Sequence, residues 1–230
     1  MIDRTNVAAL IPAYFEEKRI RDVASRTREQ IDSVLVVDDG STDRTAVAAQ
    51  EGGAEVIVHP QNQGKGAAIK TGLRELTLRE GFEYILILDA DGQHLPEEIP
   101  RFLQEANRSQ AAMLVGTRME DTSTMPLVRR LTNRAMSSLI SALIGQRVPD
   151  TQCGFRMFTR DLAHALIATA SSNFDFETEM LAIAARRGAV IGAVPVSTVY
   201  GDEKSKIRPL RDTVRFLALI KRLRREMSNR

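Results

Sequence analysis

The stretch "ILILDADGQHLPEE", Ile85 to Glu98, decides how the rest of the chain is read. Its first five residues suit a buried strand that ends in the carboxylate of Asp89, and Asp91 follows two positions later. Like charges this close repel, so a positive partner is expected if both stay ionised. With Gln93 adding a neutral oxygen, the two carboxylates form a hard-oxygen cluster. Such a cluster suits Mg2+ or Mn2+, which take few protein ligands and complete their shell with phosphate and water. The competing reading is a pair of loop carboxylates capping the short helix that Pro96 opens.

Working outward, strand-like runs alternate with helical periodicity. "VAALIPA" (7–13) is a nearly continuous apolar strand, followed by Ile20, Val23, Thr27 and Ile31 at helical spacing. "SVLVVDD" and "AEVIVH" are further strands. Between them, "STDRTAVAAQEGG" reads as a helix capped by Ser41 or Thr42 and closed by glycines. "GAAIKTGLRELTLREG" is a helix with Ile69, Gly72, Leu73 and Leu76 on one face, and "AAMLVG" is a fifth strand after "YILILD". Later come a long amphipathic pattern over 127–144, with Leu131, Ala135, Leu139 and Leu143 opposite Arg130, Arg134 and Ser141, a strand at "CGFRMF", a helix at "FETEMLAIAARRG" and a late strand at "AVIGAVPV". This alternation predicts an α/β domain, its sheet mostly parallel and covered by helices on both faces. Ligands of such sheets sit outside the carboxyl ends of the strands. Asp38, Asp39, Asp89 and Asp91 fall there, as do Pro12 and Tyr14.

Two further signals share that edge. "VVDDGSTD" (36–43) places Asp39 where an acceptor meets a nucleobase N–H or a ribose hydroxyl, or forms a capped turn and nothing more. "NQGKGAA" (62–68) sets Lys65 between glycines at a helix start, which is either an anion site or a plain turn. It is not a Walker loop. A nucleotide, its diphosphate and a metal explain all three together.

The chain has 230 residues, 43% hydrophobic and 27% charged, enough for one domain with a sizeable core. A net charge of +2 creates no demand for nucleic acid, and none is expected as a partner. The single Cys153 excludes an internal disulfide and fits a reducing compartment. "MIDRTNVAAL" lacks a signal-peptide pattern, and no apolar run approaches the ~20 residues of a membrane span. A cytoplasmic location is expected. The segment 208–230 reads as a C-terminal amphipathic helix, with Phe216, Leu219, Ile220 and Leu223 on one stripe and Arg211, Arg215, Arg222 and Arg225 on another. Two readings stand: the helix docks on the domain, or it lies on an anionic membrane at the cytoplasmic face.

The ordered motifs "ALIPAYFEE", "VLVVDDGSTDRT", "NQGKGAAIKTG", "ILILDADGQHLPEEIP", "VGTR", "DTQCGFRMF", "FETEML" and "VYGDEKSKI" resemble family 2 glycosyltransferases of the GT-A fold. The resemblance runs from Val7 to Arg215 and is closest to the dolichyl- and polyprenyl-phosphate sugar synthases. It implies one glycosyltransferase domain over 1–230, a nucleotide diphosphate sugar as donor (UDP- or GDP-linked), a polyprenyl phosphate as acceptor, and inversion at the anomeric carbon. Pro12, Ala13, Tyr14, Glu16 and Asp39 would hold the nucleoside, with Lys65 nearby and Asp89 on the ribose and diphosphate side. Asp91 and Gln93 would ligate Mg2+ or Mn2+. Arg118, Arg134 and Lys206 are candidates for gripping the acceptor phosphate and the donor diphosphate, Lys206 on the donor side. The chain departs from the family at Phe15, where Asn is usual, and this bears on donor preference.

A phosphate acceptor is already anionic and needs arginines more than a base. Arg118, Arg130, Arg134, Arg156, Lys204 and Lys206 supply such groups, each with the alternative of a solvated surface cation. A hydroxyl acceptor would need a carboxylate base, for which Glu177 comes first; the bland alternative is an acid in a helix's first turn. A non-catalytic nucleotide-binding regulator and a receiver-like module are the rivals outside this class. The regulator would lose a metal carboxylate, and a receiver's acidic pair follows its first strand, whereas here it follows the second. His59, His94 and His164 read as satisfied polar residues and Cys153 as a packed one.

Overall fold

The structure, a computed structural model, describes residues 1–119, 125, 127–168, 175–197, 220–221 and 224–225. The first strand, β1 (Val7–Ala13), is buried along its whole length, as its unbroken apolar run requires. It pairs in parallel with β2 (Ser33–Asp38) on one side and with β4 (Tyr84–Ile87) on the other, while β3 (Glu55–Val58) extends the sheet beyond β2. Between these strands lie α1 (Ile20–Gln30), α2 (Thr45–Glu51) and α3 (Lys65–Leu78). The chain steps outward from β1 to β2 to β3 and then returns past β1 to lay down β4. Right-handed crossovers therefore put α1 and α2 on one face and α3 on the other. Accordingly α1 packs on α2, and α3 packs on α6 (Arg160–Ile167) and α7 (Asp175–Arg186). This reversal opens a crevice between the carboxyl ends of β1 and β4, where ligands of open α/β sheets lodge.

After β4 come a 3-10 turn at Pro96–Glu98, α4 (Ile99–Ser109), β5 (Met113–Thr117), α5 (Leu127–Ile144), β6 (Arg156–Thr159) and, after α6 and α7, β7 (Ile191–Pro195). The seven strands run in the order β3-β2-β1-β4-β6-β5-β7. β6 is antiparallel to both its neighbours and β7 is parallel to β5, so the sheet is mixed but mostly parallel, as expected.

Three local details differ from expectation. Neither Ser41 nor Thr42 caps α2: it starts after Arg44, with Asp43 accepting the Thr45 N–H at 3.0 Å, and the Ser41 hydroxyl instead accepts the Phe15 N–H at 2.9 Å. The helix α6 goes beyond the expected elements, although Thr159 accepts the Leu162 N–H in an ordinary N-cap. The third concerns α5, which turns Asn133, Ser137, Ile140 and Ile144 inward and leaves Leu131 (55% exposed) and Leu139 (37%) facing out. The cause is the loop that α5 must carry. Ser141 accepts the Val148 N–H at 2.9 Å and Ser137 accepts the Thr151 N–H at 3.0 Å, so the helix's hydroxyls satisfy irregular backbone that has left water.

A close approach ties α3 to the sheet. A Cβ placed on Gly72 would lie 2.1 Å from Leu10 Cδ1, and Leu10 is fully buried. Gly72→Ala is therefore expected to cost about 1–3 kcal/mol by overpacking, lowering the melting temperature by roughly 2–4 °C per kcal/mol. A melt followed by circular dichroism checks it, and an unchanged midpoint would mean that Leu10 has room to retreat.

Candidate active site

Because β6 runs against its neighbours, its beginning lies at the carboxyl edge of the sheet. Arg156 pairs with Ile87 of β4 and with Val115 of β5, so the segment 150–155 arrives beside Asp89. The approach is tight enough that a Cβ on Gly154 would stand 2.5 Å from Asp89 Oδ2. Glycine is needed there to let the carboxylate in.

At the centre of this edge is Lys65, the first residue of α3. Its ammonium lies 2.6 Å from Asp89 Oδ1 and 2.5 Å from Glu177 Oε1, joining α3, the end of β4 and α7. All three side chains are largely buried (21%, 26% and 17% exposed). Burial works against the charged lysine, yet the two carboxylates overcome it and hold the ammonium protonated far above the ordinary lysine range. Burial likewise would push the Asp89 carboxyl up, but Lys65 first, then His94 and Arg118, bring it below its ordinary value of 3.8. Part of the positive partner sought for the acidic pair is thus a lysine of this chain. The arrangement places Lys65 beside Asp89.

Asp39 is 2% exposed, and its carboxylate is heavily engaged. It accepts the N–H of Gln63 at 2.9 Å and of Gly64 at 2.7 Å, and meets His59 Nδ1 at 2.7 Å; His59 Nε2 lies 2.9 Å from Thr71 Oγ1. The carboxylate thereby fixes the turn that launches Lys65. His59 is a satisfied polar residue, as expected. The nucleoside candidates Pro12 and Ala13 are buried at the end of β1, where Ala13 also accepts the Asp39 N–H at 2.9 Å. Tyr14 is exposed beyond them, and Glu16 is half-buried with its N–H held by Thr45 Oγ1 at 2.9 Å.

The cations sort by burial. Arg118, 6% exposed, grips Asp150 with Nε at 2.7 Å and Nη2 at 3.0 Å. Asp150 was not among the expected residues, since a lone acid ahead of "TQCGFR" carries no periodic signal. Arg156, 1% exposed, donates to the carbonyls of Thr151 at 2.8 Å, Cys153 at 2.9 Å and Glu177. Arg134 is exposed on α5. Lys204 and Lys206 lie outside the described residues. His94 is buried with its ring against Phe155 and its Nε2 at 3.8 Å from Asp89 Oδ2, and burial pulls it below the ordinary histidine range against the opposing charge of Asp89. His164 is exposed. Cys153 is fully buried and its thiol is pushed up to about 12, which is the state of a packed, unreactive residue. Of the segment 208–230, Ile220 is buried in the core, while Lys221, Arg224 and Arg225 are exposed.

Asp91 and Gln93 are both half-buried in the loop after β4, and Asp91 Oδ1 accepts the Gln93 N–H at 2.9 Å around Gly92 at φ +72°. Among the described residues no three His, Cys, Asp or Glu side chains converge as a metal cage. Mg2+ or Mn2+ at a nucleotide site takes one or two hard oxygens from protein and the rest from phosphate and water. The donor chemistry fits such an ion.

Nucleotide-sugar enzymes of the GT-A class use this architecture, and the comparisons place the chain among them. The model of glycosyl transferase family 2 matches residues 8–167, and the chain belongs to that family. It is 31% identical over 213 residues to a UDP-N-acetylglucosamine–dolichyl-phosphate N-acetylglucosaminyltransferase of Methanococcus voltae, covering 83% of this chain and 84% of that one. It is 32% identical over 205 residues to an undecaprenyl-phosphate mannosyltransferase of Micrococcus luteus, with 84% and 83% covered. In fold it is similar to glucosyl-3-phosphoglycerate synthase of Mycobacterium tuberculosis, solved with Mg2+ and UDP, at a TM-score of 0.71 and 18% identity over 95% of this chain and 79% of that one.

Replacing Lys65 by Met should leave Asp89 and Glu177 without their shared cation and cost about 3 kcal/mol. Adding Glu177→Gln should return part of that loss. In the wild type the Asp89 contribution is complete above the ordinary carboxylate value of 3.8 and is lost as pH falls through the lower folded value. Urea unfolding of the three proteins at several pH values tests both points; equal midpoints would mean that the bridge carries no stability.

Proposed function

We propose that this glycosyltransferase moves a sugar from a UDP- or GDP-sugar to a polyprenyl phosphate, with inversion at the anomeric carbon and with Mg2+ or Mn2+ as cofactor. The observation that carries the reading is the engagement of Glu177. The carboxylate best suited to be a base lies 2.5 Å from the Lys65 ammonium. Its Oε1 is committed to a largely buried lysine rather than open to an acceptor hydroxyl, which favours an acceptor that arrives already ionised. The dolichyl-phosphate and undecaprenyl-phosphate transferases to which the chain is similar support the same acceptor.

In this reading a phosphate oxygen of the acceptor forms a bond to the anomeric carbon while the carbon–oxygen bond to the nucleoside diphosphate breaks on the opposite face. Pro12, Ala13, Tyr14, Glu16 and Asp39 hold the nucleoside. Asp91 and Gln93 hold the ion, which when bound neutralises charge growing on the leaving diphosphate. Lys65 and Asp89 keep the diphosphate side of the crevice in register. Arg134, exposed on α5, meets the acceptor phosphate, and Lys206 meets the donor diphosphate; Arg118 acts through Asp150, shaping the wall behind Asp89. Residues 1–230 act as one catalytic unit in the cytoplasm, and the basic residues of the segment 208–230 bring it to the membrane that carries the lipid.

Purified protein incubated with UDP- or GDP-sugars, Mn2+ and polyprenyl phosphate should yield a glycosyl-phospholipid detectable by mass spectrometry. Asp91→Ala should lower turnover by about 100-fold and remove the metal-dependent part of donor binding in calorimetry. Arg134→Ala should reduce lipid turnover more than donor hydrolysis. Transfer to 3-phosphoglycerate or to a sugar hydroxyl, with none to the lipid, would overturn the acceptor assignment.

A further inference from the structure

Phe15 stands in a backbone conformation that its side chain does not favour. It is one of two non-glycine residues with positive φ among the described residues, at +57°, in the left-handed region where a bulky side chain crowds its own backbone. The turn around it leaves little freedom to escape. The Phe15 N–H donates to Ser41 Oγ at 2.9 Å and the next N–H, of Glu16, donates to Thr45 Oγ1 at 2.9 Å. The ring is not repaid by burial either: it is 47% exposed. What it does touch is Tyr14, itself 40% exposed, with ring centroids 4.5 Å apart and planes inclined at 63°. The edge-to-face pair stands where β1 leaves the sheet, at the rim of the crevice between β1 and β4.

Strain that the surroundings over-determine and that burial does not compensate is characteristic of residues kept for a ligand. Two exposed aromatic rings at the mouth of a nucleotide crevice fit a flat, weakly polar partner, and every nucleobase offers such a face. We propose that Phe15 is a positioning residue that braces the Tyr14 ring and, with it, forms a shelf for the nucleobase of the donor. This rests on the reading of the crevice as a nucleotide-sugar site. Asn would fit the left-handed turn with less strain but would leave Tyr14 without its brace.

The test compares wild type with Phe15→Asn, Phe15→Leu and Phe15→Tyr by calorimetry with Mn2+ and, separately, UDP, GDP and inorganic pyrophosphate. Phe15→Asn and Phe15→Leu should bind the nucleotide that wild type prefers about 5–10-fold more weakly, on the scale of one lost aromatic stacking contact. Phe15→Tyr should restore most of that affinity, and pyrophosphate, which has no base, should bind all four proteins alike. Both ring-less variants have lost the same contact, so Phe15→Asn should melt above Phe15→Leu by about 2–4 °C if the turn is strained as described. Nucleotide affinity unchanged in Asn and Leu variants that melt as folded proteins would overturn the shelf. So would an equal loss for pyrophosphate. Failure of wild type to bind either nucleotide would instead overturn the donor assignment on which the shelf depends.

Discussion

A single ammonium group holds three parts of this protein to one point. Lys65 Nζ sits 2.6 Å from Asp89 and 2.5 Å from Glu177, so the start of α3, the end of β4 and the first turn of α7 share one charge. Two carboxylates out of bulk water repel, and a lysine between them converts that repulsion into a joint. The position of Lys65 is in turn set by Asp39, which takes the N–H groups of Gln63 and Gly64 and is itself held by His59. The geometry of the crevice is therefore established by charges inside the protein.

The topology explains why these residues can meet at all. Reversal of the chain between β3 and β4 puts the ends of β1 and β4 side by side, with helices on opposite faces to either side of the gap. The antiparallel strand β6 then delivers the segment before it, rather than after it, to the same edge. Two stretches more than fifty residues apart in sequence, around Asp89 and around Gly154, come within a carboxylate oxygen of each other. An all-parallel sheet would have left Asp150 to Phe155 at the far end of the core.

Much of this could be read before any coordinates. Continuous apolar runs located six of the seven strands, the seventh at "CGFRMF" being legible despite Arg156, and the emergence of Asp39, Lys65, Asp89 and Asp91 at one edge followed from parallel strand geometry. What escaped were interactions with no local signature. The stripe Leu131, Ala135 and Leu139 has the spacing of a buried face, yet α5 turns Ser137 and Ser141 inward because the Val148–Thr151 backbone needs partners. Asp150 is a single acid without periodicity, and only the fold reveals it as the counter-ion of Arg118. A ring at Phe15 was visible as a departure from the family, but its left-handed backbone was not, since φ depends on how Ser41 and Thr45 pin the turn.

The buried guanidinium of Arg156 has a mechanical consequence. It collects the carbonyls of Thr151, Cys153 and Glu177, which belong to the segment before β6 and to the opening turn of α7. A planar guanidinium spreads its donors over three nitrogens and so reaches acceptors set apart on separate segments, whereas an ammonium donates from one atom. The two walls are riveted together, so tilting one requires the other to follow. Any widening of the cleft on that side moves as a hinged panel rather than as two independent flaps.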